Sequence, residues 1–302
     1  MHTIIRIMRI HHKKFKILSV FFVVILLVLS LFISSFTSIS VYAMPFYRLN
    51  PQELTVRSQF FTSYPSSSEE RKNNIKLAAK SLNNTLVDVG GEFSFNQTVG
   101  ERTIARGYKS AKIIVGGEFV DGVGGGVCQV STTLYNAALI AGLEITEYHP
   151  HSLSVSYVAP SFDAMVNSGS ADLKFINNTD NPIIILVTAD DSCIIVKIIG
   201  EPLKEKYLRK SVITGEITPL PDKIITDEKQ EHEELYEGEF LQLKYPKSGL
   251  TSEGYLITVK DGKLCEMKKI RSDKYAAIQG IKIGGTKKRL PSLDAVENAL
   301  SY

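Results

Sequence analysis

Apolar and polar positions set up different rhythms along the chain. Ile17 to Ile33 is apolar except for Ser19 and Ser30. Residues 59–64, Gln-Phe-Phe-Thr-Ser-Tyr, read as a strand. Ser66-Ser-Ser-Glu-Glu70 then offers a serine cap with acids in the first turn, so a helix is predicted to about Leu82, where Asn83-Asn84 stops it. Ile75, Leu77, Ala78 and Leu82 keep helical spacing within it. A short strand is predicted over 90–95. A hairpin is predicted from Lys112–Val115 and Glu118–Val120, joined by Gly116-Gly117. Val127 to Leu143 reads as a helix with Val130, Leu134, Ala137, Ala138 and Ala141 on its apolar face, ended by Gly142. Strands are then predicted at 145–149, 153–158 and 173–176. A closing hairpin is predicted from 182–188 and 192–199 around Asp190-Asp191.

Helices mixed with antiparallel strands imply an α+β domain over 59–200, entered through a stalk at 45–58. Residues 201–237 carry Pro219, Pro221 and the charged run Asp227-Glu-Lys-Gln-Glu-His-Glu-Glu234, and read as a solvated linker. Strand-like alternation resumes over 238–285, at 240–245, 255–260, 263–267 and 278–283, as a small all-β module followed by a tail at 286–302.

Charge changes the reading of the apolar run. Arg6, Arg9, Lys13, Lys14 and Lys16 precede it without an acid among them, the pattern of an export signal. Two outcomes stay open for residues 1–44. A transmembrane signal anchor through residues 17–36 would leave a single-pass cell-membrane protein with its bulk outside. A signal peptide cleaved near Ala43 would leave a secreted one. The rest of the chain is close to neutral within a total of +3, which argues against nucleic acid as a partner.

The three cysteines, Cys128, Cys193 and Cys265, leave at least one free thiol; pairing of Cys193 with Cys128 or Cys265 stays open. No C-x-x-C pair exists, and no metal or cofactor is expected.

The chemistry concentrates at Gly124-Gly125-Gly126-Val127-Cys128-Gln129. A thiol at a helix N-terminus feels the positive end of the backbone dipole, which favours thiolate. Glycines let backbone N–H groups approach an oxyanion closely. His151, with His149 as the alternative, follows as candidate base, and Asp163 or Asp172 as the acid that would orient it. A helix of about 24 Å followed by a strand returning beside it permits such a contact. Candidate catalytic residues are therefore Cys128, His151 and Asp163. Candidate binding residues are Gly124, Gly125, Gly126, Gln129, His149 and Tyr157. The non-catalytic reading treats Cys128 as packed and the glycines as turn geometry.

The stretches Phe93-Ser-Phe-Asn96, Gly107-Tyr108, Gly124–Ala138, His149-Pro-His-Ser152, Val155-Ser-Tyr157 and Asn177-Asn-Thr179 give residues 59–200 a resemblance to the VanW family, named for an accessory component of vancomycin-resistance clusters in Gram-positive bacteria. The order Cys128, histidine, Asp also resembles papain-like and transglutaminase-like cysteine enzymes. The module at 238–285 more weakly resembles the small wall-associated "G-five" domain, through Glu237-Gly238, Asp261-Gly262 and Gly284-Gly285. The VanW resemblance implies an exported envelope protein that acts on or binds peptidoglycan, its stem peptides or a wall precursor, accessory to glycopeptide resistance. The alternative is a non-catalytic peptidoglycan-binding or scaffold module of an envelope complex. If the chain is an enzyme, the residues fit a cysteine-dependent amide or ester hydrolase or an acyltransferase.

Overall fold

A computed structural model describes residues 54–227 and 235–289. All of them lie in one compact unit, Leu49–Tyr302. The apolar run at 17–33 and the tail from 290 lie outside the described residues. Among the described residues, no helix is long and apolar enough to cross a membrane.

The chain order is β1 (Thr55–Ser63), α1 (Glu69–Leu82), β2 (Thr85–Val87), β3 (Glu92–Ser94), α2 (Phe95–Val99), β4 (Ser110–Val115), β5 (Glu118–Val123), α3 (Val127–Ile140), β6 (Glu144–Glu147), β7 (Lys174–Ile176), β8 (Ile183–Ala189) and β9 (Cys193–Gly200). An antiparallel sheet ordered β1-β9-β8-β2 carries the core. Its buried side chains alternate, as in Ile183, Ile185 and Val187 against Ile194, Val196 and Ile198, because successive residues of a strand face opposite sides. Helix α1 packs on β8, and α3 on β1 and β9. The predicted cap is in place: Ser68 Oγ accepts the Arg71 N–H at 3.3 Å.

Helix α3 is the centre of the domain. Every residue in it is buried except Cys128 and Ile140. A helix buried all round has few ways to satisfy polar side chains, so each one must find a fixed partner. Thr133 Oγ1 meets Thr62 Oγ1 at 2.8 Å, and Ser58 Oγ donates to the Ala137 carbonyl at 2.7 Å. These bonds set the register of α3 on β1.

The segment 201–237 contains β10 (Lys206–Ile217) and β11 (Lys223–Thr226). Beyond it come β12 (Phe240–Lys244), β13 (Gly249–Lys260), β14 (Lys263–Tyr275) and β15 (Ile281–Gly284). One sheet is ordered β10-β13-β14, antiparallel throughout. The other is β11-β15-β12, with β11 and β15 parallel. Residues 206–217 are thus paired along β13 rather than extended as a solvated connection. The segment Leu153–Val158, whose alternation predicted a strand, is irregular. The carboxylate of Asp163 captures the backbone N–H of His151 just before it, and that segment pairs with no strand.

Candidate functional site

The turn before α3 is built from glycines for two separate reasons. Gly124 and Gly126 have φ of +90° and +106°, in the region that penalises a Cβ. Gly125 has an ordinary φ, but a Cβ there would lie 2.7 Å from the Lys112 carbonyl oxygen and 2.8 Å from Ala111 C. The turn is pressed against β4 and delivers Cys128 to the second position of α3. The Val127 and Gln129 amides donate to the Gly124 and Gly126 carbonyls at 3.1 and 3.0 Å. Between them, the Cys128 amide has no acceptor among the described residues. It is one of the orphan donors that every helix N-terminus carries.

The loop 148–173 brings the other two residues. The polar side of α3 fastens it: Ser131 Oγ donates to the Ala164 carbonyl at 2.6 Å, Thr132 Oγ1 accepts the Ala164 N–H at 3.0 Å, and Asn136 Nδ2 donates to the Phe162 carbonyl at 2.7 Å. The Cys128 thiol itself lies 3.3 Å from the Val166 carbonyl. Asp163 Oδ2 then accepts both the His151 backbone N–H and its ring Nδ1–H, each at 2.7 Å. With Nδ1 committed to Asp163, Nε2 is the ring nitrogen left for Cys128, and the two groups act on each other's charge.

The electrostatics agree with this chain of contacts. Burial pushes the Cys128 thiol up, but the His151 hydrogen bond and charge, with Arg102 beyond, outweigh it and leave the thiol below its usual range. Burial pushes His151 down, while Asp163 and Cys128 raise it to about 9. Burial likewise opposes ionisation of Asp163, yet His151, Arg271 and Tyr275 hold its carboxyl below the usual carboxylate range. All three shifts favour a thiolate, an imidazolium and a carboxylate in line. Because the groups interact strongly, the observable titrations belong to the set rather than to single residues.

Asp163 is held from outside the 59–200 domain. Tyr275 Oη donates to its Oδ1 at 2.5 Å and accepts the Ser161 N–H at 2.8 Å. Arg271 Nη1 donates to the Asp163 carbonyl at 2.7 Å, Nη2 lies 3.4 Å from Oδ1, and Nε is paired with Asp273 at 2.6 Å. Ser161 stands at φ +63°, and Gly254 of β13 allows the approach, since a Cβ there would sit 2.8 Å from the Ser161 carbonyl oxygen. Arg209 of β10 reaches Asn136 and lies over the Phe60 and Phe162 rings at 4.3 and 4.8 Å.

The remaining candidates divide. Tyr157 is half-buried, and Cys128 is among the charges that act on it. Gln129 faces away. Its amide nitrogen donates to Thr62 Oγ1 and the Ser63 carbonyl at 2.9 and 3.1 Å, and its Oε1 accepts from Arg71 at 2.8 Å. That leaves it no N–H for an oxyanion. His149 pairs with Glu147 at 2.9 Å rather than with Cys128. Asp172 caps α2: its oxygens accept Ser94 Oγ at 2.5 Å and the Asn96 and Leu173 amides at 2.8 Å each. The thiols of Cys128, Cys193 and Cys265 are all free. Among the described residues, no group of three or more His, Cys, Asp or Glu is placed to hold a metal. The sequence reading missed Arg71, Arg102, Arg271 and Tyr275. The polar positions 128, 132 and 136, one helical turn apart, were the available sign that this face grips something.

A family model described as VanW like protein matches residues 70–199. The uncharacterized protein YoaR of Bacillus subtilis (strain 168) is 45% identical over 152 residues, 50% of this chain and 50% of that protein. Vancomycin B-type resistance protein VanW of Enterococcus faecalis (strain ATCC 700802 / V583) is 34% identical over 144 residues, 46% of this chain and 50% of that protein. The chain spans about half the length of the curated relatives it matches. A solved structure, the crystal structure of HP0197-G5, aligns with 28% of this chain and 100% of its own at 17% identity and a TM-score of 0.15, a level at which the likeness settles nothing about the C-terminal sheets. The matched segment, residues 70–199, is similar to the VanW family and holds Cys128, His151 and Asp163.

Proposed function

We propose that this chain is a cysteine-dependent acyl-transfer enzyme of the cell envelope, acting on an amide or ester bond of peptidoglycan stem peptides. The observation that carries the reading is the buried His151–Asp163 hydrogen bond, with His151 acting on the thiol of Cys128 at the N-terminus of a buried helix. A packed structural thiol needs no buried imidazole raised by a buried carboxylate.

In this reading the Cys128 thiolate attacks the carbonyl carbon and a C–S bond forms. The Cys128 amide and the dipole of α3 stabilise the oxyanion. The imidazolium of His151 gives its Nε2 proton to the departing amine or alcohol as the C–N or C–O bond breaks, leaving a thioester. Water or an acceptor amine, deprotonated by His151, then attacks the thioester and releases the thiolate. Asp163 keeps Nδ1–H pointing at itself, so Nε2 faces the sulfur throughout. The order Cys128, His151, Asp163 resembles that of papain-like and transglutaminase-like cysteine enzymes. The envelope setting rests on the basic-then-apolar pattern of residues 1–44 and on the relative named for vancomycin resistance.

The test is intact-mass analysis of the full chain incubated with muropeptides from digested wall. An added acyl mass on Cys128, absent in Cys128→Ala, is expected, together with a changed muropeptide profile. An unmodified protein and an unchanged profile, with Cys128→Ala still complementing a deletion strain, would replace the enzyme by a non-catalytic wall-peptide module.

A further inference from the structure

Two arginines bracket the turn that delivers Cys128. A Cβ at Gly126 would meet Arg71 Cγ at 3.0 Å, and a Cβ at Gly124 would meet Arg102 Cβ at 3.1 Å. Arg71 reaches over from α1, where Nη1 donates to Ser67 Oγ at 2.9 Å and Nη2 to Gln129 Oε1 at 2.8 Å. Arg102 Nη2 donates to Asn96 Oδ1 at 2.6 Å, and its guanidinium lies over the Phe95 ring at 5.6 Å. These partners are all neutral. Arg57 is paired with Glu201, and Arg271 with Asp163 and Asp273, whereas the half-buried Arg209 has Asn136 and the Phe60 and Phe162 rings. Among the described residues neither Arg71 nor Arg102 has a carboxylate within ion-pair distance.

A half-buried cation with neutral partners is costly unless an anion arrives. The site supplies one. Cys128 as thiolate is among the groups favouring the charged form of each arginine. Asp172 also acts on Arg102 from further off, but its oxygens are already bound by Ser94 and the Asn96 and Leu173 amides. His151 and Asp163 cancel, as do Arg271 and Asp273. Arg106 also acts on Arg102, so Arg71, Arg102 and Arg106 against the thiolate and Asp172 leave one positive charge, the complement of a single carboxylate. A third group points the same way. Among the described residues the Tyr108 hydroxyl is buried with no hydrogen-bond partner, and Arg106 and Arg102 are the charges acting on it. A buried hydroxyl without a partner is rare enough to need an explanation, and a bound oxygen supplies one.

We propose that Arg71 and Arg102, with the Tyr108 hydroxyl, form the carboxylate-binding side of the Cys128 cleft, so that the acyl substrate is a peptide carrying a free carboxylate beside the bond attacked. This rests on the acyl-transfer reading of Cys128. The guanidinium forks match a carboxylate in charge and shape, and a neutral amide at the same place would leave them unpaired.

Iodoacetate and iodoacetamide test it on the full chain without any substrate. Both alkylate the same sulfur, and they differ in a carboxylate against a carboxamide. Peptide mapping by mass separates Cys128 from Cys193 and from the exposed Cys265, which serves as internal standard. At pH 7 the iodoacetate-to-iodoacetamide rate ratio at Cys128 should exceed that at Cys265 by roughly tenfold or more, the scale of one charge-assisted hydrogen bond. Arg71→Gln and Arg102→Gln should each lower that ratio severalfold, and Arg102→Lys should keep most of it. An equal ratio at the two cysteines overturns the proposal. So does inertness of Cys128 to both reagents, or Gln variants that slow both reagents alike, which would mean the arginines act on the thiol alone. Failure of the acyl-transfer reading looks different, with no acyl-enzyme formed while the ratio persists.

Discussion

Tyr275→Phe removes one oxygen, and the structure says what that oxygen holds. It accepts the Ser161 N–H at 2.8 Å and donates to Asp163 Oδ1 at 2.5 Å, both in a site closed to water. An unsatisfied buried amide costs about 1–3 kcal/mol, and a hydrogen bond to a charged acceptor contributes about 1.5–3 kcal/mol. Relief from burying the hydroxyl itself offsets part of this, so we expect a net loss of about 2–5 kcal/mol, against a total stability on the order of 5–15 kcal/mol. With a urea slope of about 3 kcal/mol per molar, the unfolding midpoint should fall by roughly 1 M. The effect should also depend on pH. Asp163 is held below the ordinary carboxylate range, so its contribution is present above its unfolded pKa and lost as pH falls through its folded one. Without the Tyr275 hydrogen bond that depression is smaller, so the loss on acidification should be smaller and should be complete at higher pH than in the parent protein. Tyr245→Phe, at a tyrosine 78% exposed, is the control and should leave both quantities alone. A midpoint shift for Tyr275→Phe no larger than the control's, or an acid loss of unchanged size and end point, would refute the claim that β14 holds Asp163.

Iodoacetamide alkylation of Cys128 should titrate below the usual thiol range, and a second change is expected as pH passes about 9, where His151 loses its proton. In His151→Ala, burial acts with less opposition, and the reaction should move to higher pH; an unmoved profile would detach His151 from the thiol. Gly125→Ala places a Cβ 2.7 Å from the Lys112 carbonyl oxygen, so β4 and the turn must separate, with an expected cost of about 1–3 kcal/mol in urea unfolding and a slower alkylation of Cys128. Asp172→Ala removes a helix-cap acceptor and should cost about 1–2 kcal/mol, while the pH profile of Cys128 alkylation keeps its midpoint; a moved midpoint would return Asp172 to the catalytic set.

Local rules carried the sequence reading as far as local rules determine structure. The capped helix at 69–82, the β4–β5 hairpin, the glycine turn into α3 and the β8–β9 hairpin are all specified by neighbours in the chain, and their boundaries agree within a few residues. Cys128 and a following histidine and acid were visible as residue types in order, but the sequence left His149 and Asp172 open, and the pairing of His151 with Asp163 comes from the structure. Leu153–Val158 failed for the opposite reason. Its alternation is real, but a strand needs a partner, and a distant carboxylate took the preceding amide instead. Residues 206–217 were hidden by composition: charged and apolar residues are mixed on both faces of β10, and most of its positions are only half-buried or exposed, so no clean period of two survives.

Arg271 and Tyr275 have no local signature at all. They sit in a strand more than a hundred positions from Asp163, and alternation places both on one face only once β14 is known to pair with β13. Their arrangement bears on what the family segment is. Residues 70–199 contain the thiol, the imidazole and the carboxylate, but the groups that satisfy the carboxylate lie beyond residue 250. A buried carboxylate deprived of Arg271 and Tyr275 faces the full cost of desolvation, and it meets that cost most cheaply by taking a proton. A protonated Asp163 no longer favours the charged imidazole, and the thiol then loses the cation that offsets its own burial. The 70–199 segment is therefore the site's chemistry without its electrostatic support. The sheet β10-β13-β14 belongs to the same working unit, whatever else its outer face does.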